Sequence, residues 1–119
     1  MMKKLIIILM TTLGIAIGAM AAEKPAFPGG TKALDAYITN NLKYPQTAKD
    51  NGIEGVVAVV FTVKADGTVG NIKIKRMVDP DLEAEAIRLV KGMPKWTPAD
   101  KDGVPVDAPA EVNVNFTLE

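Results

Sequence analysis

Acidic side chains alternate along one short stretch of the sequence, at Asp79, Asp81, Glu83 and Glu85. Carboxylates at this spacing could bind a divalent cation, but the stretch lacks the glycine and the distal glutamate of a calcium-binding loop. Hydrolysis by paired carboxylates needs two acids that face each other across a cleft, and the sequence indicates no such pair. Because Asp79-Pro80 is typical of a helix start, we interpret the group as acids at the N-terminal end of a helix, where the dipole favours them.

Most other side chains that carry chemistry are missing. The chain has no cysteine, no histidine and no serine, which excludes disulfides, thiol nucleophiles and a Ser-His-Asp triad. Gly29-Gly30 is not followed by the Lys-Ser/Thr pair of a phosphate-binding loop. Basic and acidic residues balance at 14 each, which argues against nucleic-acid binding. We therefore expect no enzymatic activity, no metal and no cofactor.

Two further features have a structural interpretation and a functional alternative. Lys73, Lys75 and Arg76 form a basic patch, which in a nearly neutral protein indicates a solvated strand face. Trp96 is flanked by prolines two residues away on each side. It is typical of a core residue, with recognition of a partner as the alternative.

The N-terminus predicts export. Lys3 and Lys4 precede an uncharged apolar run, and Ala19-Met20-Ala21 places small residues where signal peptidase cleaves. We expect residues 1–21 to be a signal peptide, residues 22–28 a short leader and residues 29–119 the folded domain. The exported chain loses two lysines and becomes slightly acidic. The alternative is an uncleaved inner-membrane anchor through residues 5–22, which is at the lower length limit for a span.

Apolar periodicity predicts the elements that position any site. Leu34, Tyr37, Ile38 and Leu42 share one face of a helix that Thr31 would cap. We likewise expect a helical turn over residues 46–51 and a second long helix from Asp79 to Pro94. Strands are expected at residues 54–64, 69–78 and 111–118, with a loop over residues 95–109 that could hold a small hairpin near residues 101–103.

The element order αββαβ limits the topology. Strand 1 is apolar on both faces, which indicates a central position. The Ala65-Asp66-Gly67 turn makes strands 1 and 2 antiparallel, and a right-handed crossover makes strands 2 and 3 run in the same direction. We therefore expect an α+β fold with a three-stranded antiparallel or mixed sheet in the order 2-1-3, and with helices on one face.

The two sheet edges differ in composition. Strand 2 carries the basic patch, and charged edges block unwanted strand pairing. Strand 3 places only asparagine and threonine between its apolar residues, with acids at its two ends. Such an edge can accept an extended peptide through main-chain hydrogen bonds. Dimerisation or burial through the same edge remains an equal alternative on these residues alone.

Several motifs together resemble the TonB C-terminal domain family. They cover residues 27–118 and keep the family's order and spacing. They are Tyr44-Pro45, Ala48, Gly52, residues 55–63 with Asp66-Gly67, residues 94–99, residues 103–106 and residues 112–116. Phe27-Pro28-Gly29-Gly30 is similar to the opening of one branch of the family.

The resemblance implies a periplasmic, TonB C-terminal-like domain of a Gram-negative bacterium, with no catalytic function. Family members pair their last strand with the TonB box, an extended segment of outer-membrane transporters, in TonB-dependent transmembrane transport. A segment around the Tyr-Pro motif is the second contact region. The alternative is a structural or homodimerising periplasmic module. Carried over to this sequence, the partner-binding residues are Glu111, Val112, Asn113, Val114, Asn115, Phe116, Thr117 and Leu118, together with Asn41, Leu42, Lys43, Tyr44 and Pro45.

One departure from the family concerns the segment before the domain. A transducer of this family carries a membrane anchor and a long proline-rich linker, whereas here five residues separate the apolar run from Phe27. Five residues reach at most about 18 Å. We therefore expect a secreted, stand-alone domain that binds TonB-box-like segments or other periplasmic proteins.

Overall fold

The computed structural model describes residues 24–118. The predicted signal peptide, residues 1–21, and the alternative anchor, residues 5–22, lie outside the described residues. Among the described helices, none has the length and apolar character that a membrane crossing requires. The helices are α1 (Thr31–Asn41), α2 (Gln46–Asp50) and α3 (Pro80–Lys91). The strands are β1 (Gly55–Val63), β2 (Val69–Arg76), β3 (Ala99–Lys101), β4 (Val104–Val106) and β5 (Ala108–Phe116).

Strand β1 is the centre of a three-stranded sheet. It pairs antiparallel with β2 on one side and with β5 on the other, so the order is β2-β1-β5. Strands β3 and β4 form a separate two-stranded hairpin. The predicted order 2-1-3 and the α+β class are confirmed. The apolar residues on both faces of β1 pointed to this position, because such strands lie inside a sheet with a neighbour on each side.

The core lies between one sheet face and the helices. Val57, Val59, Phe61 and Val63 of β1 are all buried, because alternate residues of a strand share a face. Helix α3 packs on this face through its apolar stripe, whose residues recur at helical spacing. The core residues of α3 and β5 are Leu82, Ala86, Leu89, Val90, Val112, Val114 and Phe116.

The acidic stretch starts α3, as predicted. The Asp79 carboxylate accepts hydrogen bonds from the N–H groups of Asp81, at 3.0 Å, and Leu82, at 3.3 Å. The Glu83 carboxylate accepts the Val78 N–H at 2.7 Å. These bonds satisfy donors near the helix N-terminus that lack partners inside the helix.

Trp96 is a core residue, as predicted. It is 7% exposed and meets Phe61 edge-on at a centroid distance of 5.3 Å. Gly67 in the β1–β2 turn has φ +89, and a Cβ there would lie 2.5 Å from the Trp96 carbonyl oxygen. The turn therefore requires glycine both for its backbone conformation and for this close approach.

Two elements begin at residues other than those predicted. Thr31 does not cap α1. Gly30, at φ +86, precedes the helix without a side-chain cap, and its carbonyl accepts the Leu34 N–H. Strand β5 begins at Ala108 rather than at Glu111, and it ends at Phe116. Pro109 lies inside this strand, because an edge strand tolerates proline where the missing N–H would have faced away from the sheet.

Candidate functional site: the exposed edge of β5

Strand β5 has a partner on one side only. Among residues 24–118, β1 pairs with it and no strand pairs with its other side. The direction of its backbone groups follows from β1. Lys64, just after β1, donates its N–H to Thr68 across the hairpin, on the β2 side. The direction of the backbone N–H and C=O groups alternates along a strand. These groups therefore point toward β5 at Val63 and at every second residue before it.

The register then assigns the outward groups of β5. Val63 pairs with Ala108 and Val59 with Val112, so the even-numbered residues of β5 bond to β1. The N–H groups of Glu111, Asn113 and Asn115 consequently point away from the sheet, and we call these groups the β5 edge. The nitrogen of Pro109 points outward in the same way, which is the orientation that a proline in a strand requires.

A groove runs beside the middle of the β5 edge. Its volume is about 380 Å³, and it separates the strand from α1. On the helix side, the groove is lined by apolar and polar side chains from one face of α1 and its C-terminal end. The lining residues of this α1 groove are Asp35, Ile38, Thr39, Leu42, Asn113 and Asn115.

Further cavities lie at the two ends of the same strand. One of about 400 Å³ lies near its start and includes Trp96 and Pro109 in its walls. Another of about 500 Å³ lies beyond its end, between Tyr44, Lys49, Thr117 and Leu118. Separate cavities therefore lie near the start, the middle and the end of β5.

The opposite edge of the sheet is different. Lys73, Lys75 and Arg76 of β2 are exposed, and the pairing of β2 with β1 shifts register at two places. Charges and bulges of this kind discourage the addition of a further strand. Only the β5 edge is both regular and uncharged along its centre, where Asn113 and Asn115 are the exposed residues.

The predicted second contact region packs against the end of β5. The Tyr44 ring meets the Phe116 ring edge-on at 5.6 Å, and the Tyr44 hydroxyl donates to the Ile53 carbonyl. Leu42 lines the α1 groove. The structure thus brings Leu42 and Tyr44 beside β5, whereas Lys43 faces α3 through its backbone N–H.

Three comparisons with known proteins agree on one family. The model of the Gram-negative bacterial TonB protein C-terminal matches residues 40–118. The chain belongs to the TonB C-terminal domain family. Two curated relatives, both Protein TonB of Helicobacter pylori strains, are 34% identical over 77 residues, which is 64% of this chain. The chain spans only 27% and 28% of the lengths of these relatives.

Solved structures of TonB C-terminal domains share the fold. A solution NMR structure of the Helicobacter pylori TonB-CTD matches with a TM-score of 0.57 and 25% identity, over 89% of this chain and 96% of that chain. The Pseudomonas aeruginosa TonB CTD matches with a TM-score of 0.51 and 28% identity, over 65% and 78%. The TonB C-terminal domain family is non-enzymatic, in agreement with the expectation from the residue types.

A buried carboxylate holds the Tyr-Pro segment of this TonB C-terminal domain. Glu85 is 8% exposed. Its oxygens accept from Arg88 Nε at 2.7 Å, from Arg88 Nη2 at 2.8 Å and from the Lys43 N–H at 2.7 Å. Arg88 Nη2 also donates to the Asn41 carbonyl at 2.9 Å. This network connects α3 to the loop between α1 and α2, whose next residues are Tyr44 and Pro45.

The electrostatics of this network favour the ionised carboxylate. Burial by itself raises the pKa of Glu85, but the hydrogen bonds from Arg88 and from the Lys43 N–H outweigh it, so the pKa lies below its ordinary value. Burial, reinforced by the charge of Glu54, raises the pKa of the Tyr44 hydroxyl. Tyr44 is therefore a neutral hydrogen-bond donor at neutral pH.

The sequence did not indicate all of the TonB domain's edge-lining residues. Asp35 and Thr39 line the α1 groove, and Lys24 and Pro25 line the cavity near Trp96. The apolar stripe of α1 was the one signal, since it includes Ile38. In the structure Ile38 is only partly buried and also lines the α1 groove. No pattern in the sequence pointed to the leader residues.

Proposed function

We propose that this TonB C-terminal domain binds an extended segment of a partner protein as an added strand on the β5 edge. The observation that carries the proposal is the set of outward N–H groups at Glu111, Asn113 and Asn115 beside the α1 groove. Each main-chain hydrogen bond of an added strand contributes a net of about 1 kcal/mol. Main-chain bonds of this kind give affinity, while side-chain pockets give specificity.

The proposed partner is a TonB-box-like segment of an outer-membrane transporter, or a similar segment of another periplasmic protein. Membership of the TonB C-terminal domain family supports this choice, and so does the relatives' name, Protein TonB. The role that follows is in TonB-dependent transmembrane transport, with the domain in the periplasm. The proposed contact surface is residues 111–118 and residues 41–45.

The two contact regions are supported by different features of the domain. Residues 111–115 offer the main-chain donors. Leu42 and Tyr44 add side-chain walls, because Leu42 lines the α1 groove and Tyr44 lines the cavity beyond Phe116. Asn41, Lys43 and Pro45 would then act by holding these two side chains in place.

A peptide titration followed by NMR tests the proposal. A TonB-box peptide added to the purified protein should shift the backbone amides of residues 111–118 and leave those of β2 in place. Asn113→Pro removes an outward N–H and should abolish binding, with the fold retained. Asn113→Ala is the matched control, since it removes the same side chain from the α1 groove but keeps the N–H, so it should bind far more tightly than Asn113→Pro.

The same titration discriminates the competing occupant of the edge. If a second copy of the domain covers β5, sedimentation should show a concentration-dependent dimer, and Asn113→Pro should dissociate it. A dimer that ignores the peptide would assign the edge to dimerisation and refute the peptide-binding proposal. An intact mass of the exported protein, with or without residues 1–21, tests the predicted cleavage before Ala22.

A further inference from the structure

A cavity at the start of β5 shares only Glu111 with the contact surface carried over from the family. Its volume is about 400 Å³. Trp96, Pro25, Pro109 and Ala110 form its apolar walls, and Lys24 and Glu111 contribute charged groups. A volume of this size lies at the lower end of the range found for ligand pockets. We call it the Trp96 cavity.

The leader of the domain forms one wall of this cavity. Ala26 exchanges two backbone hydrogen bonds with Thr97, at 2.9 Å and 2.8 Å. This bridge fixes Lys24 and Pro25 next to the first residues of β5. The cavity therefore has walls on two sides that are each anchored by backbone bonds.

Trp96, which lines the cavity, also carries an unsatisfied polar group. Its ring is held by edge-on contacts with Phe61, at 5.3 Å, and with Phe27, at 5.7 Å. Its indole Nε1–H is buried and finds no acceptor among residues 24–118. A buried donor without an acceptor costs the domain free energy.

The position of the cavity relates it to the β5 edge. Ala110 points to the core side of the sheet, as Val112 does, and the residue opposite Ala110 on an added strand points to the same side. That side chain would enter the Trp96 cavity. Pro109 offers no N–H, so the hydrogen-bond ladder of an added strand loses a donor here and side-chain burial must hold this end.

We propose that the Trp96 cavity is a specificity pocket that takes an apolar side chain, of the size of leucine or phenylalanine, from the segment bound along β5. The inference rests on the proposed strand addition and deepens it. It requires the partner to carry an apolar residue at the position facing Ala110, at the Pro109 end of the edge.

Trp96 is the only tryptophan of the chain, so it reports on the pocket without interference. A TonB-box peptide should shift the indole N–H resonance and change the tryptophan fluorescence, together with the amide shifts of residues 111–118. Replacing the peptide residues by alanine one at a time should identify one apolar residue whose loss weakens binding about tenfold. That variant peptide should no longer move the indole signal but should still shift the edge amides.

A protein variant provides the complementary measurement. Ala110→Leu fills the cavity and should weaken the parent peptide about tenfold, yet leave the affinity of the alanine-substituted peptide unchanged. Asn115→Ala, at the far end of the edge, is the matched control and should affect both peptides equally. The peptide scan uses the unaltered protein, so it decides the matter even if Ala110→Leu does not fold.

The outcomes separate this pocket from strand addition itself. Edge amides that shift while the indole signal stays still, with no single apolar residue dominating the scan, would overturn the pocket and leave strand addition intact. Edge amides that do not shift at all would overturn both. Indole and edge shifts together with the parent peptide, and loss of the indole shift alone when the one apolar residue is removed, are the result we expect.

Discussion

Neutralising Glu85 should destabilise the domain and loosen the segment that flanks the end of β5. The carboxylate accepts three hydrogen bonds, two from Arg88 and one from the Lys43 N–H. In Glu85→Gln, the amide oxygen can accept hydrogen bonds but the NH2 group cannot, so at least one bond is lost. The remaining bonds lose the negative charge of their acceptor. Hydrogen bonds to charged groups are worth about 1.5–3 kcal/mol each.

The magnitude is limited by the exposure of the partner. The Arg88 side chain is 49% exposed, so water rehydrates its guanidinium when the carboxylate is gone. We therefore expect a loss of about 2 kcal/mol in the free energy of unfolding, below the 3–5 kcal/mol of a fully buried pair. For a domain of this size, that loss lowers Tm by about 10 °C. Urea unfolding and thermal circular dichroism measure both quantities.

The pH dependence has a definite sign. The folded-state pKa of Glu85 is lowered, so its stabilisation is complete above the unfolded-state pKa, about 4.3, and is lost as the pH falls through the folded-state value. The stability difference between the wild type and Glu85→Gln should be constant near neutral pH and shrink below about pH 4. Asp81→Asn is the control, because this exposed acid on the same helix should cost under about 0.5 kcal/mol. A loss that small in Glu85→Gln would refute the network.

Other perturbations test single features of the fold. Asp79→Ala removes the oxygen that accepts from Asp81 and Leu82 and should cost about 1 kcal/mol in urea unfolding; unchanged stability would show that the cap is not formed in solution. Gly67→Ala forces a Cβ to 2.5 Å from the Trp96 carbonyl oxygen at φ +89 and should cost about 2 kcal/mol or more, whereas a loss under about 0.5 kcal/mol would contradict the close approach. Val114→Pro removes an N–H that bonds β1 and should lower the free energy of unfolding by about 3 kcal/mol in urea unfolding; an unchanged stability would reverse the assigned direction of the β5 groups.

The sheet order could be predicted because it follows from local patterns. The apolar residues on both faces of β1 indicated a central strand, and the turn at Gly67 fixed its antiparallel neighbour. The start of β5 could not be predicted in the same way. Pro109 is a strand breaker by type, and only the register, which places its nitrogen at the outer edge, makes it acceptable there.

The sequence predicted the strand that forms the candidate site, but not the residues that line the cavities beside it. The alternation of asparagine and apolar residues in β5 showed which residues face the core, and an edge position follows from the sheet order. The α1 groove and the Trp96 cavity depend on how far α1 and the leader stand from β5. That spacing is set by contacts far apart in sequence, such as the bond from the Tyr37 hydroxyl to the Leu89 carbonyl.

Amide hydrogen exchange along β5 tests strand addition most directly. In the free domain, the amides of Val112 and Val114 should exchange slowly because they bond β1, while those of Glu111, Asn113 and Asn115 should exchange fast. Saturation with a TonB-box peptide should slow the second set and leave the first set as it was. Fast exchange at Asn113 and Asn115 in the saturated complex would contradict strand addition on the β5 edge.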